Sequence, residues 1–309
     1  MTRIKIAAIG DIHDQWETAD HIALKQLKVD LALFVGDFGN EAVTVVRQLA
    51  QLKMPYAAIL GNHDAWYTAS AWGRQKCPYN REVEDRVQEQ LTLLNQAHVG
   101  YSQRQFADLG LSVVGSRPFS WGGPVWKNED FYRDRYGVTS FSESTERIVA
   151  AAQATPHHNI IFLGHNGPYG LGDRPEDPCG RDWNPIGGDF GDPDFQAAIA
   201  QVRSLGKHIP LVVFGHMHHR LRHTKIVERT VVVTDDWGTV YLNAAAVPRI
   251  VRDRAATLRN FTLITLEADR AIDIKLVWLD EAGDLVSERD LYRAAPSLAI
   301  SESDREIEA

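Results

Sequence analysis

The sequence predicts an α/β protein, and three observations carry that prediction. Six short aliphatic runs each close on a glycine followed by a polar residue, amphipathic stretches separate most of them, and beyond residue 225 strand-like runs succeed one another with no helix between. Unbroken apolar runs of this length suit strands covered on both faces, although their periodicity alone does not separate them from buried helix. The terminal glycine decides it: there the backbone leaves the sheet in a tight turn and the next residue projects from the sheet's C-terminal edge.

In chain order, a strand over 4–11 ("IKIAAIGD") leads to a helix over 17–28, and a strand over 31–37 ("LALFVGD") to a helix over 41–52. The run 56–62 ("YAAILGN") is a third strand, and 81–97 reads as helix. Strands follow at 111–116 ("LSVVGS"), 159–165 ("NIIFLGH") and 210–216 ("PLVVFGH"), with helices over 142–154 and 194–206 between them. In the helical stretches the apolar residues recur at helical spacing, and the connections are long enough for right-handed crossovers. The runs after 225, including "NFTLITLEA" and "AIDIKLVWLD", predict antiparallel strands that extend or cover the sheet. No Pro/Gly/Ser linker divides the chain. One domain is therefore expected over 1–300, with a frayed acidic tail at 301–309.

Composition narrows the function. The 309 residues, 44% hydrophobic, can bury a large core. The net charge of −8, from 33 basic and 41 acidic residues, gives no global reason to bind nucleic acid or an anionic membrane. Cys77 and Cys179 lie far apart without a Cys-x-x-Cys pair, so neither a disulfide framework nor a thiolate zinc site is indicated. The start of the chain has no secretory h-region, and no window approaches a bilayer span, so a cytoplasmic location is expected.

Because ligands of open α/β sheets bind beyond the strand C-termini, the residues after the glycines should meet. They are Asp11 and His13 of "GDIH", Asp37 of "GDFGN", Asn62, His63 and Asp64 of "GNHD", His165 of "GHNG", and His216 and His218 of "GHMH"; only Ser116 breaks the series. Singly, each has an ordinary explanation: a Gly-Asp pair often starts a turn or caps a helix, and a lone histidine can sit hydrogen-bonded at a core edge. Repetition at five strand ends is different. Carboxylate, imidazole and amide oxygen together make a donor set for divalent transition metals, favouring Mn or Fe with Zn or Ni also admissible. In an extended segment residues i and i+2 point the same way, so His216 and His218 can face the site with Met217 packed behind. His219 then faces away, and His219 and His223 are left outside the site.

These blocks, in this order over residues 11 to 218, resemble the five signature blocks of the calcineurin-like metallophosphoesterase superfamily. The resemblance implies a four-layer αββα sandwich of two mixed sheets flanked by helices, with a dinuclear site at the strand ends. It further implies that Asp11, His13 and His218 hold one ion, that Asn62, His165 and His216 hold the other, and that Asp37 bridges them. His63 would be the catalytic histidine and Asp64 its orienting partner. The second block, "GDFGNE", departs from the Ser/Thr protein phosphatase branch in lacking the Asp-Arg that follows there, which argues against protein phosphatase activity. The fourth, "GHNGPYG", is a variant in which Asn166 and Gly167 precede Pro168.

The expected chemistry is hydrolysis of a phosphomonoester or phosphodiester of small-molecule size by metal-bound hydroxide. Paired cations neutralise the phosphate oxygens and acidify water; such pairs sit ~3.5–4 Å apart, and an anionic bridge suits them. No Gly-x-Ser-x-Gly elbow offers a protein nucleophile. Two long connections, 116–141 and 166–194, are expected to select the substrate: Arg117, Arg133, Arg135 or Arg181 would contact phosphate and a tryptophan, Trp121 first, an organic group, unless the aromatics simply anchor the loops. A non-catalytic scaffold of the same fold and a nuclease are the rival readings. The first would most simply have lost His63, and the second would want a basic groove.

Overall fold

Side chains alternate across a strand, so a strand buried on both faces must find two cores. In β1, Ala7 and Ile9 pack into one apolar cluster and Ile6 and Ala8 into another. The computed structural model of the chain describes residues 3–295 apart from 255 and 268, so the tail expected at 301–309 lies outside the described residues. Its strands are β1 (Arg3–Ile9), β2 (Leu31–Phe34), β3 (Tyr56–Ala58), β4 (Gln103–Phe106), β5 (Leu111–Gly115), β6 (Asn159–Leu163), β7 (His208–Phe214), β8 (Val232–Thr234), β9 (Val240–Asn243), β10 (Ile250–Arg252), β11 (Thr257–Glu267), β12 (Arg270–Leu279) and β13 (Leu285–Arg293). Its α-helices are α1 (Thr18–Leu27), α2 (Val43–Leu49), α3 (Ala71–Gln75), α4 (Arg86–Leu94), α5 (Glu129–Tyr136), α6 (Phe141–Gln153) and α7 (Pro193–Ser204).

The strands form two mixed sheets. One runs β13-β12-β11-β1-β2-β3 with β10 paired to β11, and the other runs β4-β5-β6-β7-β9-β8. Three apolar clusters show the layering. Ile6, Leu33 and Ala57 of the first sheet meet Val113, Leu163 and Val213 of the second in a shared central core. The outer face of the first sheet is covered by Leu24 of α1, Val46 and Leu49 of α2 and Val87 of α4. The outer face of the second is covered by Ile148 of α6 and by Phe195 and Val202 of α7. This is the four-layer αββα order, and each fully buried Val, Leu, Ile or Phe in it contributes roughly 1.5–3 kcal/mol.

Differences from the sequence reading have local causes. The helix expected over 81–97 starts only at Arg86, where the Asp85 carboxylate accepts the Gln88 backbone N–H at 2.8 Å as an N-cap. The connection 116–141, read as lacking regular structure, contains α5. Its apolar residues are too few to show a period, but acidic Glu129 and Asp130 open it, Arg133 and Arg135 close it, and left-handed Gly137 stops it. The strands after residue 225 are not all antiparallel: β9 pairs with β7 in parallel, because hairpin partner β8 lies on the outside of it. β4, β10 and the exposed edge strand β13 were not anticipated; "LVSERDLYR" carries the charges that protect an edge rather than the apolar residues that announce a strand.

The two long connections are fastened to each other. Arg117, 3% exposed, donates from Nε to Asp194 at 2.9 Å and from Nη2 to Asp192 at 2.8 Å, and lies 5.0 Å from the Trp126 ring centre. Ser120 Oγ donates to Asp192 at 2.7 Å, Ser144 Oγ donates to Asp194, and the Asn166 amide donates to the Phe190 carbonyl at 2.8 Å. Burial pushes the Asp192 carboxyl above its usual range against the pull of Arg117. Arg117 is therefore committed inside the fold and is not available to a substrate phosphate, which corrects the expectation for it. Arg117→Ala strands two buried carboxylates and is expected to cost about 3–5 kcal/mol, read as a lowered urea midpoint; Arg117→Lys, lacking the planar fork, should recover only part of it.

Candidate metal and catalytic site

The C-terminal ends of β1, β2, β3, β6 and β7 deliver Asp11, Asp37, Asn62, His165 and His216 to one place between the two sheets. Three overlapping groups result: Asp11 with His13 and His218, Asp37 with His165 and His216, and His13 with Asp37 and His63, the ligand atoms of each group lying within 4.8 Å of one another. Two glycines of the strand-end pattern are required by contact. A Cβ on Gly215 would stand 2.3 Å from Asp11 Oδ1, and one on Gly61 would stand 2.3 Å from Asp37 Oδ1. Three of the convergent residues, His13 (φ 44°), Asp37 (φ 52°) and His216 (φ 67°), hold the left-handed backbone that non-glycine residues adopt at a cost. The segment 216–218 is thus a turn and not the extended piece expected. Met217 is nonetheless buried, and its N–H bonds back to the Gly215 carbonyl at 2.8 Å.

The donors present fit divalent ions, on the evidence of their own crowding. Asp11 is buried and its Oδ2 receives no hydrogen bond, while His218 Nε2 stands 3.3 Å and His13 Nε2 4.0 Å away. The two Nε2 atoms face each other at 3.2 Å. Burial raises the Asp11 pKa, but the nearby imidazoles, His218 first and then His165 and His13, hold the carboxyl far below its usual range. In the second group His165 Nδ1 bonds the Val35 carbonyl at 2.8 Å, which places a ring proton on Nδ1 and turns Nε2 toward the site. Nε2 faces Asp37 Oδ1 at 3.3 Å and Asn62 Oδ1 at 2.9 Å. Carboxylate oxygens and ring nitrogens so placed repel one another unless a metal ion or shared protons lie among them.

Asp64 differs from its expected role. It is fully buried and does not touch the His63 ring; its carboxylate accepts the backbone N–H of Gly61 at 2.7 Å and those of Asp37 and Phe38 at 2.9 Å each. Burial and the neighbouring Asp37 charge push its pKa well up against those donors. Its work is to tie the β2 and β3 loops together, so Asp64 sets where Asp37 and Asn62 stand. The ring partner of His63 is Asn40, whose Oδ1 lies 2.6 Å from Nδ1. Asn40, three residues after Asp37 in the same loop, was missed because an asparagine in a Gly/Asn turn reads as a turn former. His63 Nε2 is left facing the site, 3.9 Å from Asp37 Oδ2.

The remaining residues singled out in the sequence lie elsewhere. Trp121 stacks on Trp66, ring centres 5.2 Å apart, and Trp66 stacks on His63 at 4.4 Å, so Trp121 reaches the site through another side chain. Arg181 donates to the Gly187 carbonyl at 2.8 Å and lies over Phe190. Arg133 pairs with Asp130 and Asp134, and Arg135 with Asp85. His219 is buried with Nε2 2.9 Å from the Asn243 carbonyl, and His223 is exposed.

A family model described as calcineurin-like phosphoesterase matches residues 4–220. Among solved structures, the chain is similar to TT1561 of Thermus thermophilus, at 12% identity, covering 94% of this chain and 100% of that one with a TM-score of 0.48. It is similar also to a dimetal phosphatase from Danio rerio (13% identity, 94% and 99% covered, TM-score 0.46). A third is a metallophosphoesterase from Sphaerobacter thermophilus (15% identity, 94% and 89% covered, TM-score 0.33). No curated protein matches the chain. Among the described residues, no helix is long and apolar enough to cross a membrane.

The Asp64 clamp and the Asn40 contact separate in a simple comparison. Asp64→Ala frees three backbone donors and is expected to lower both the melting temperature and the metal content of the purified protein, whereas Asn40→Ala should leave metal content unchanged. Equal metal loss in both variants would contradict the division of labour.

Proposed function

The chain belongs to the calcineurin-like phosphoesterase family, and from that premise we propose that it is a hydrolase of phosphate esters, acting on a phosphomonoester or phosphodiester of small-molecule size with two divalent ions, Mn or Fe before Zn or Ni. The observation that supports this reading most directly is the buried Asp11 oxygen with no donor, facing two imidazole nitrogens. Asp11, His13 and His218 would hold one ion and Asn62, His165 and His216 the other, with Asp37 between them. When bound, such ions supply positive charge to the phosphate oxygens and a water acidic enough to react near neutral pH.

The chain's own groups do the rest. Asp64 and the strand-end glycines fix Asp37 and Asn62 before substrate arrives, so little reorganisation remains for the reaction. His63 Nδ1 donates to Asn40 Oδ1, which aims Nε2 at the site. As water adds to phosphorus and the bond to the leaving oxygen breaks, that oxygen takes a proton from His63 Nε2, and the proton lost by the water makes good the one given up. Asn40 can accept from Nδ1 whether the ring is neutral or charged, so the orientation survives the transfer.

The decisive experiment is a turnover panel of aryl phosphomonoesters, aryl phosphodiesters and nucleotides on metal-analysed protein. Hydrolysis of at least one class is expected, abolished by chelator dialysis and restored by manganese; inert protein carrying both ions would refute the proposal. Separately, His63→Ala should retain its metal content and lose ~10²–10⁴ in turnover, the range of general acid catalysis.

A further inference from the structure

His63 belongs to a column of three planar rings. Trp66 stacks on the imidazole with ring centres 4.4 Å apart and planes 13° from parallel, and Trp121 stacks on Trp66 at 5.2 Å and 19°. The geometry has a local origin. His63 opens a single helical turn, His63–Ala65, and the Trp66 backbone N–H closes it on the His63 carbonyl at 3.1 Å. Residues three apart on such a turn lie one above the other. The turn is held from both sides as well: the Asp64 carboxylate grips the β2 and β3 loops, and buried Gln90 of α4 donates to the Asp64 carbonyl at 2.8 Å.

Trp121 is fixed from a different part of the chain. Two residues before it, Phe119 N–H bonds the Leu60 carbonyl at 2.7 Å, in the loop after β3 that carries Asn62. Ser120 Oγ donates to Asp192 at 2.7 Å and accepts the Gly122 N–H at 3.0 Å. The backbone carrying Trp121 is thus tied on one side to the loop after β3 and on the other, through Ser120, to the buried Arg117 network. The imidazole is gripped on one edge by Asn40 and on one face by Trp66, and His13 meets it edge-on with ring centres 5.0 Å apart.

We propose that Trp66, backed by Trp121, is a positioning residue: its indole face fixes the plane of the His63 ring and so the aim of Nε2 at the leaving oxygen. The proposal deepens the reading in which His63 protonates the leaving group, and rests on it. A hydrogen bond through Nδ1 leaves the ring free to swing about the bond axis, and the stack removes that freedom. A misplacement of about 1 Å at a proton donor can cost on the order of 10²-fold. In this role Trp66 acts through the His63 ring, so its removal should act on turnover through the donor and leave substrate binding nearly alone.

The test compares native protein, Trp66→Ala, Trp66→Phe, Trp121→Ala and His63→Ala, all metal-analysed, on phosphate esters of leaving groups graded from nitrophenol through phenol to a simple alcohol. Trp66→Ala should lower kcat by ~10–100-fold on the poor leaving groups, with KM little changed and the loss shrinking toward nitrophenol. Trp66→Phe should regain most of that loss, and Trp121→Ala should show a smaller loss of the same kind. A second readout needs no turnover: in histidine-labelled protein loaded with diamagnetic zinc, the native His63 ring protons should resonate upfield under the indole as one sharp set, moving downfield and broadening in Trp66→Ala. Uniform loss over all leaving groups, or unmoved His63 resonances, overturns the role of Trp66 even when His63→Ala behaves as a lost proton donor. If His63→Ala shows no leaving-group dependence, the donor reading falls and the proposal with it.

Discussion

Two carboxylates, Asp11 and Asp37, are buried where the C-terminal edges of two sheets meet, and neither has enough hydrogen-bond donors to account for its burial. A buried anion of this kind costs several kcal/mol unless something positive compensates it. Asp11 receives one backbone N–H, from His216 at 3.1 Å, and Asp37 one, from His63 at 2.8 Å; imidazole nitrogens of His13 and His218 stand by Asp11 and those of His63 and His165 by Asp37. The rest of the molecule can be understood as the apparatus that holds these groups together against their mutual repulsion.

That apparatus is layered. The central core between the sheets fixes β1, β2, β6 and β7 relative to one another, so that residues far apart in the chain end at a common edge. The Asp64 carboxylate then locks the β2 loop to the β3 loop, and the Val35 carbonyl, at the end of β2, orients His165 from the other sheet. Left-handed backbone at His13, Asp37 and His216 is the local strain that this outer structure sustains. Packing thus supports the loops, the loops support the ligand set, and only the last concerns chemistry.

The two long connections contribute differently from what their composition suggests. Their arginines are largely committed, Arg117 to Asp192 and Asp194 in the interior and Arg133 and Arg135 to acidic neighbours at the surface. Their aromatics pack: Phe119 and Tyr132 are buried, and Trp121 completes the column that ends on His63. The loops thus reach the site through ring stacking on His63 and not through free arginines.

Local sequence determined the strand ends. An apolar run, a glycine and a polar residue are encoded within a few consecutive positions, so the donor types and their common placement at the sheet edge were legible without any tertiary information, as were helices α1, α2, α4, α6 and α7 in outline. Helix α5 escaped because its stability lies in caps, charges and ring packing rather than in a period. The partnerships were decided by the fold alone. That Asp64 serves backbone amides while Asn40 serves His63, that Arg117 is a core residue, and that His216 bends into a turn depend on which groups from distant segments arrive within hydrogen-bond reach, and no spacing within a single segment encodes that distance.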